Sequence, residues 1–258
     1  MSVLAIIQAR LGSTRFPAKV LQPILGKPML WHITDRVRRI PSVDEVVVAV
    51  PNGPKDEQLR LFCEEQDILY FAGSEFDVLD RFYQAARHHS GDPILRITAD
   101  CPLVDPALIQ DLIELYRSGP YDHVGVATGA GAVGMEEGTR FPDGLDGECF
   151  SFNALERTWR EATDLRDREH VTRYMWTNRQ LFRCGNLRSE QCYPKVRLTV
   201  DHVDDFVLVT KIYESLYSPQ KPFLLSEVID FLKKNPALVE INRRVAEASN
   251  YREVLENR

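Results

Sequence analysis

Between residues 6 and 19 the chain reads IIQARLGSTRFPAK, which sets Arg10, Arg15 and Lys19 on one short turn with Ser13 and Thr14 between them. Two guanidinium forks, an ammonium and two hydroxyls suit a polyphosphate, because charge-assisted hydrogen bonds to phosphate oxygens are short and strong. The stretch has neither GxxxxGK[ST] nor GxGxxG, and its single glycine is Gly12. Backbone amides therefore cannot wrap the phosphates as they do in glycine-rich loops, so side chains must hold them. On charge alone, a solvated basic turn would explain the same residues. Position favours the anion site. The turn follows Val3 to Ile7, an apolar run that reads as a buried strand, and ligands of parallel sheets bind beyond the carboxyl ends of strands.

Two carboxylates are placed in the same way. Asp100 ends the stretch PILRITAD, followed by Cys101 and Pro102, and Asp201 ends KVRLTVD. A strand-end carboxylate could hold Mg2+ against substrate phosphates, since magnesium takes one or two carboxylates and keeps several waters. Each aspartate alone could equally cap a turn; two of them with a cationic loop fit a metal-triphosphate site better than any of the three alone. The histidines form no HExxH and no zinc spacing, and His88 and His89 suit the end of a helix. A nucleophilic Cys101 with His170 as base competes with this reading, but DCP positions a metal ligand more simply. The triplet Arg168, Glu169 and His170 offers a fork donor, an acid and a base. On a helix it is either a substrate clamp or a solvated face.

These residues need a sheet to bring them together. DEVVVAV (Asp44 to Val50) is a second β-branched run of the kind found in strands covered on both faces. Between the two runs, Met29 to Ile40 has helical spacing, completing a βαβ unit. DEQLRLFCEEQ predicts a helix, ILYFAG a short strand and VLDRFYQAARHH an amphipathic helix ending before Gly91. Pro93 to Asp100 predicts a central strand, and Asp105 to Gly119 a helix with an acidic start and a glycine stop. This alternation predicts an α/β fold: a Rossmann-like three-layer α/β/α sandwich around a mostly parallel, mixed sheet. Gly125 to Gly147 breaks the rhythm with seven glycines and reads as a flexible loop, a lid or an excursion from the sheet. Beyond it, FNALERTWREA and HVTRYMWTN read as helices, Lys195 to Asp201 as a strand, and residues 222–258 as a helical extension of one domain spanning 1–258.

Composition narrows the partners. A net charge of -6 over 258 residues argues against binding a nucleic-acid backbone. The first acidic residue is Asp35, so the segment carrying Arg10, Arg15, Lys19 and Lys27 is a cationic patch in an acidic protein. No run of 18 apolar residues and no basic-flanked leader is present, which predicts a cytoplasmic protein without membrane contact. Five cysteines with no CxxC pair suit reduced thiols.

The opening IIQARLGSTRFPAKVL resembles the signature of cytidylyltransferases that activate acidic sugars, the CMP-KDO and CMP-sialate synthetases, and TADCPLVDP stands where they carry a metal-binding aspartate. The likeness extends to the SpsF-type spore coat polysaccharide branch through GSEFDVLDRF, RITADCPLVDP, FPDGLD, REHVT, LTVDHVDDF and NPALVEIN, covering nearly the whole chain. The resemblance implies a nucleotide-diphospho-sugar transferase-like fold. It implies Mg2+-dependent transfer of a cytidylyl group from CTP to an anionic acceptor such as an acidic sugar, with release of pyrophosphate, in surface polysaccharide or glycoconjugate biosynthesis. It also implies a homodimer.

By position, Arg10, Ser13, Arg15 and Lys19 match the family's triphosphate loop, and Gly73, Ser74 and Asp77 match a stretch near the nucleotide. Thr98 replaces the glutamine that the KDO enzymes place two residues before their aspartate. Asp100 and Asp201 match the magnesium ligands, and Asp143, Asp146, Arg168, Glu169 and His170 fall where the acceptor lies. A phosphorylated or phosphonate acceptor would satisfy the same residues. A nucleotide-sugar glycosyltransferase shares the architecture but usually holds its metal with a D-x-D triplet, which this chain lacks. An idle nucleotide sensor would lose the strand-end aspartates, which are present.

Overall fold

A computed structural model describes residues 2–128, 140–191, 193 and 196–248. The chain opens with β1 (Val3–Gln8), a tight hairpin of β2 (Pro23–Ile24) and β3 (Lys27–Pro28), then α1 (Met29–Arg38) and β4 (Val43–Pro51). It continues through α2 (Glu57–Glu65), β5 (Tyr70–Gly73), α3 (Val78–His89), β6 (Ile94–Thr98) and α4 (Pro106–Ser118). The second half holds β7 (His123–Val126), β8 (Glu148–Phe150), α5 (Phe152–Glu161), α6 (Leu165–His170), α7 (Arg173–Thr177) and β9 (Cys184–Leu187). It ends with α8 (Val203–Leu216), α9 (Leu225–Lys234) and α10 (Arg243–Ala248).

Seven strands form one sheet in the order β5-β4-β1-β6-β8-β7-β9. β1 pairs in parallel with β4 and β6, β4 with β5 and β7 with β9, while β8 runs antiparallel to both of its neighbours. The expected mostly parallel, mixed sheet is thus present. Its central strands are apolar on both faces because both are covered. One core packs α1, α2, α4, α8 and α9 against the sheet, and the other packs α3, α5 and α7 on the opposite face. The order β5-β4-β1-β6 reverses direction between β1 and β6. The loops leaving those two strands lead to α1 and α4 on the same face of the sheet, and their carboxyl ends lie side by side, the place where open α/β sheets bind ligands. Residues 9–19 and 99–104 leave from those ends.

Helix starts are set locally. Asp77 caps α3 by accepting from Asp80 N at 2.9 Å, and Asp105 caps α4 by accepting from Ala107 N and Leu108 N at 2.8 and 3.1 Å, with Pro106 at the first helical position.

The expected strand Lys195 to Asp201 is corrected. Its described part, from Val196 on, is buried throughout Arg197 to Val200, but it makes one isolated bridge, Arg197 to Asp143, in place of a ladder. Its amides go to loops: Leu198 N donates to Asp143 O at 2.7 Å and Val200 N to Asp100 O at 2.8 Å. Of the glycine-rich stretch, Gly125 and Val126 belong to β7, residues 129–139 lie outside the described residues, and 140–147 lead into β8. Of the C-terminal stretch, α9 and α10 are helical, and 249–258 lie outside the described residues. HVTRYMWTN is a helix only over Arg173–Thr177.

Candidate active site

The cationic turn is shaped before it meets any ligand. Leu11 N donates to buried Asp56 Oδ1 at 2.6 Å, Ala18 N returns to Leu11 O at 3.2 Å, and the Ser13 hydroxyl accepts from Phe16 N at 3.3 Å. Ala18 takes a left-handed backbone (φ 52°) that turns the chain into Lys19. Phe16 packs edge-on against Phe206 of α8, with ring centroids 5.6 Å apart. Arg10 and Arg15 are left exposed.

Lys19 is drawn inward. Its Nζ donates to Val200 O at 2.6 Å and lies 3.0 Å from Asp201 Oδ1 and 3.8 Å from Asp100 Oδ2. Arg15 Nη2 reaches the same Asp201 oxygen at 3.0 Å. Arg15, Lys19, Asp100 and Asp201, brought from three separate parts of the chain, therefore form one cluster beyond the carboxyl ends of β1 and β6. Burial alone would raise the Asp201 carboxyl, but Lys19, Arg15 and Arg197 together hold it below the usual carboxylate range.

Among the described residues, no group of three or more His, Cys, Asp or Glu side chains is arranged to hold a metal by itself. Two hard oxygen donors converging on one cation nevertheless fit magnesium completed by phosphates and water.

The other expected positions fall around this cluster. Cys101 Sγ lies 3.3 Å from Thr98 Oγ1, 3.5 Å from Asp100 Oδ1 and 3.6 Å from Asp146 Oδ2. Burial, with Asp100 and Asp146 beside it, pushes the thiol well up, so it is a protonated donor between two acids and not a nucleophile. Burial also raises Asp146, which accepts from Thr128 Oγ1 at 2.5 Å and from Gly144 N at 3.1 Å. Asp143 pairs with Arg197. Gly144 is required where it stands, at φ 100°, since a Cβ there would lie 2.2 Å from Thr199 N.

Asp77, Ser74 and Arg168 form a second group. Arg168 grips Asp77 through Nε at 3.0 Å and Nη2 at 2.5 Å, and donates Nη1 to Trp159 O at 2.7 Å. Its guanidinium is thus engaged inside the protein. Asp77 N donates to Ser74 Oγ at 3.0 Å. Gly73 lies against the stem of Arg81, whose Cγ would be 2.9 Å from an added Cβ. Arg81 is fully buried, gives Nη1 to Ser74 O, and has Nε and Nη2 without a partner among the described residues. Burial, reinforced by the nearby charge of Arg10, lowers it to about 10.

Glu169 and His170 are exposed at the end of α6. REHVT closes there in a γ-turn: Thr172 N donates to His170 O at 2.5 Å, with Val171 at φ 55°, ψ -60°. Beneath lies a buried ion group. Glu148 pairs with Arg96 and accepts from His123 Nε2 at 3.0 Å and Thr172 Oγ1 at 2.7 Å. Burial opposes this charge, yet those partners hold Glu148 at about 2.

Sequence reasoning missed Asp56, Arg81, Arg197, Asp205 and Asn242. Arg81, Asp205 and Asn242 stand inside the stretches GSEFDVLDRF, LTVDHVDDF and NPALVEIN with no role legible there, and Arg197 is an arginine on an alternating stretch four residues before Asp201.

A cationic loop facing two carboxylates across the switch point of a parallel sheet defines a nucleotidyl-transfer class of site. The chain belongs to the cytidylyltransferase family, whose profile matches residues 4–245. It is 36% identical to an uncharacterized protein of Methanocaldococcus jannaschii over 99% of this chain and 100% of that one. It is 31% identical to the spore coat polysaccharide biosynthesis protein SpsF of Bacillus subtilis over 91% of this chain and 95% of that one. A solved cytidylyltransferase from Leptospira borgpetersenii superposes with a TM-score of 0.83 at 28% identity, covering 93% of this chain and 97% of that one. The fold is that of the nucleotide-diphospho-sugar transferases, and the protein is an enzyme of the cytidylyltransferase type. No helix among the described residues is long and apolar enough to cross a membrane.

Proposed function

We propose that the protein transfers a cytidylyl group from CTP to an anionic acceptor, an acidic sugar foremost, and releases pyrophosphate. The observation that carries this reading is the convergence of Lys19 and Arg15 on Asp201, with Asp100 beside them, at the switch point between β1 and β6. An acceptor oxygen attacks the α-phosphorus as the bond to the β-phosphate breaks. Arg15 and Lys19 then neutralise the charge gathering on the departing pyrophosphate. Preorganised donors of this kind contribute about 3 kcal/mol each to the transition state. Mg2+, held by Asp100 and Asp201, would supply Lewis-acid polarisation of the phosphoryl oxygens. Arg10 and Ser13 shape or extend the triphosphate loop, and Asp146, Glu169 and His170 border the acceptor side. The SpsF relative, named for spore coat polysaccharide biosynthesis, supports a role in building a surface glycoconjugate.

The test is pyrophosphate release from CTP, UTP, GTP and ATP with MgCl2 and a panel of 2-keto-3-deoxy sugar acids, sugar phosphates and phosphonates. Release with CTP and one acidic acceptor, lost in Asp100→Asn at an unchanged melting temperature, is the expected result. Equal activity in Asp100→Asn would remove the metal assignment. Binding of a nucleotide-sugar in preference to CTP would overturn the transfer reaction itself.

A further inference from the structure

Arg197 is buried and gives each guanidinium nitrogen to a different carboxylate: Nη2 to Asp201 Oδ2 at 2.7 Å, Nε to Asp205 Oδ1 at 3.3 Å and Nη1 to Asp143. We propose that Arg197 is the positioning residue for Asp201 in the transfer reaction: it pins one carboxylate oxygen so that the other faces Lys19 and Arg15, and it yokes Asp201 to the Asp143–Asp146 loop. This rests on the function proposed above.

The two oxygens of Asp201 have separate surroundings. Oδ2 is held by Arg197, whereas Oδ1 meets Lys19 and Arg15, both at 3.0 Å. A carboxylate pinned on one side presents the remaining oxygen in a fixed direction, and a rotation of Arg197 would turn both.

Arg197 is itself fixed from behind. Asp205, in the first turn of α8, accepts from Asp201 N and His202 N at 3.0 Å with Oδ2. Asn242 donates its amide to Asp205 Oδ1 at 2.8 Å and to Arg197 O at 3.1 Å. Backbone and side chain of the residue are thus clamped by α8 and by the C-terminal segment.

The link to Asp143 adds a second consequence. The main chains of the two segments are bridged at this residue, and Leu198 N donates to Asp143 O at 2.7 Å. A displacement of the acceptor-side loop therefore reaches Asp201 through one guanidinium. Only a planar fork with five donors serves three carboxylates at set angles; a lysine keeps the charge and loses the geometry. Arg197→Lys accordingly separates position from charge.

The measurement is Mn2+ binding in the presence of CTP, followed by electron paramagnetic resonance, with metal-free CTP binding and the melting temperature as companions. Arg197→Lys should weaken Mn2+ at least tenfold while metal-free CTP binding stays within threefold. Asn242→Ala, which leaves every site charge in place, should weaken Mn2+ about threefold; it serves as the readout if Arg197→Lys does not fold. Mn2+ affinity unchanged in the variant that folds overturns the inference. Asp100→Asn separates the two failures. If it abolishes Mn2+ binding while Arg197→Lys and Asn242→Ala change nothing, only the positioning role has failed. If Asp100→Asn also changes nothing, the metal reading has failed and the inference with it.

Discussion

The ammonium of Lys19 stands 3.0 Å from Asp201 Oδ1 and 3.8 Å from Asp100 Oδ2, so one cation already joins the two carboxylates on which a divalent ion would depend. On the proposed function, Lys19 and a metal ion would compete for the same oxygens until a triphosphate offered the ammonium another partner. At about 4 Å and an effective dielectric near 20, unit charges interact by about 4 kcal/mol. Lys19→Met should therefore bind Mn2+ at least tenfold more tightly in the nucleotide-free protein, and CTP more weakly. Titration of Mn2+ with and without CTP checks this; equal affinities in wild type and variant would show that the ammonium does not occupy the metal position.

Gly144 brings the Asp143–Asp146 loop against the segment that leads to Asp201. Any side chain would meet Thr199 N at 2.2 Å in a backbone conformation, φ 100°, that L residues rarely adopt. Gly144→Ala should cost roughly 2–4 kcal/mol in stability and lower turnover together with it. Chemical denaturation of the pure variant gives the number, and a loss below about 0.5 kcal/mol would mean the close approach is relieved without strain.

Arg168 and Asp77 tie α6 to the start of α3. The pair is partly exposed, so the loss in Arg168→Met should be about 1–3 kcal/mol, less than for a fully buried pair. Asp77→Asn in the same chain should add less than its separate cost, because the two changes remove one interaction. A double-mutant cycle by thermal unfolding tests this, and strict additivity would show that the ion pair is not formed.

The buried group around Glu148 makes stability depend on pH in two directions. Glu148 is held at about 2, below its ordinary 4.5, so its contribution is complete above 4.5 and is lost as pH falls toward 2. His123 is raised from 6.5 to about 9: burial works against its charge, but Cys184 and Glu148 prevail. Its contribution is complete below 6.5 and is lost as pH rises through 9. The melting temperature should be highest between about pH 5 and 6.5 and fall by several degrees on each side. Glu148→Gln should flatten both limbs. A profile for that variant that parallels wild type would assign the dependence to other groups.

The sequence by itself determined the parallel half of the sheet and the ends at which chemistry collects. Val3 to Ile7, Val46 to Val50 and Ile94 to Ile97 are apolar enough to announce strands covered on both faces, and helical spacing between them left a right-handed parallel arrangement as the simple solution. Arg15, Lys19 and Asp100 follow such strands directly, so their meeting beyond the carboxyl ends was legible. The REHVT and FPDGLD stretches were legible as motifs, but what each side chain touches was not.

Tertiary structure alone decided the rest. Alternation from Val196 to Asp201 reports burial and says nothing of pairing, and here the amides bind Asp143 and Asp100 carbonyls where a ladder was expected. The reversal of β8 depends on how the chain returns after residue 147, which no local preference encodes. Arg168 read as part of a substrate clamp or of a solvated face because only its charge is visible in sequence, whereas its partner Asp77 lies 91 residues away. Arg197 likewise draws meaning from Asp143, 54 residues before it, and from Asp205, eight after it. Periodicity carries information over a few residues, while the direction of a buried carboxylate is set by whichever distant donor reaches it.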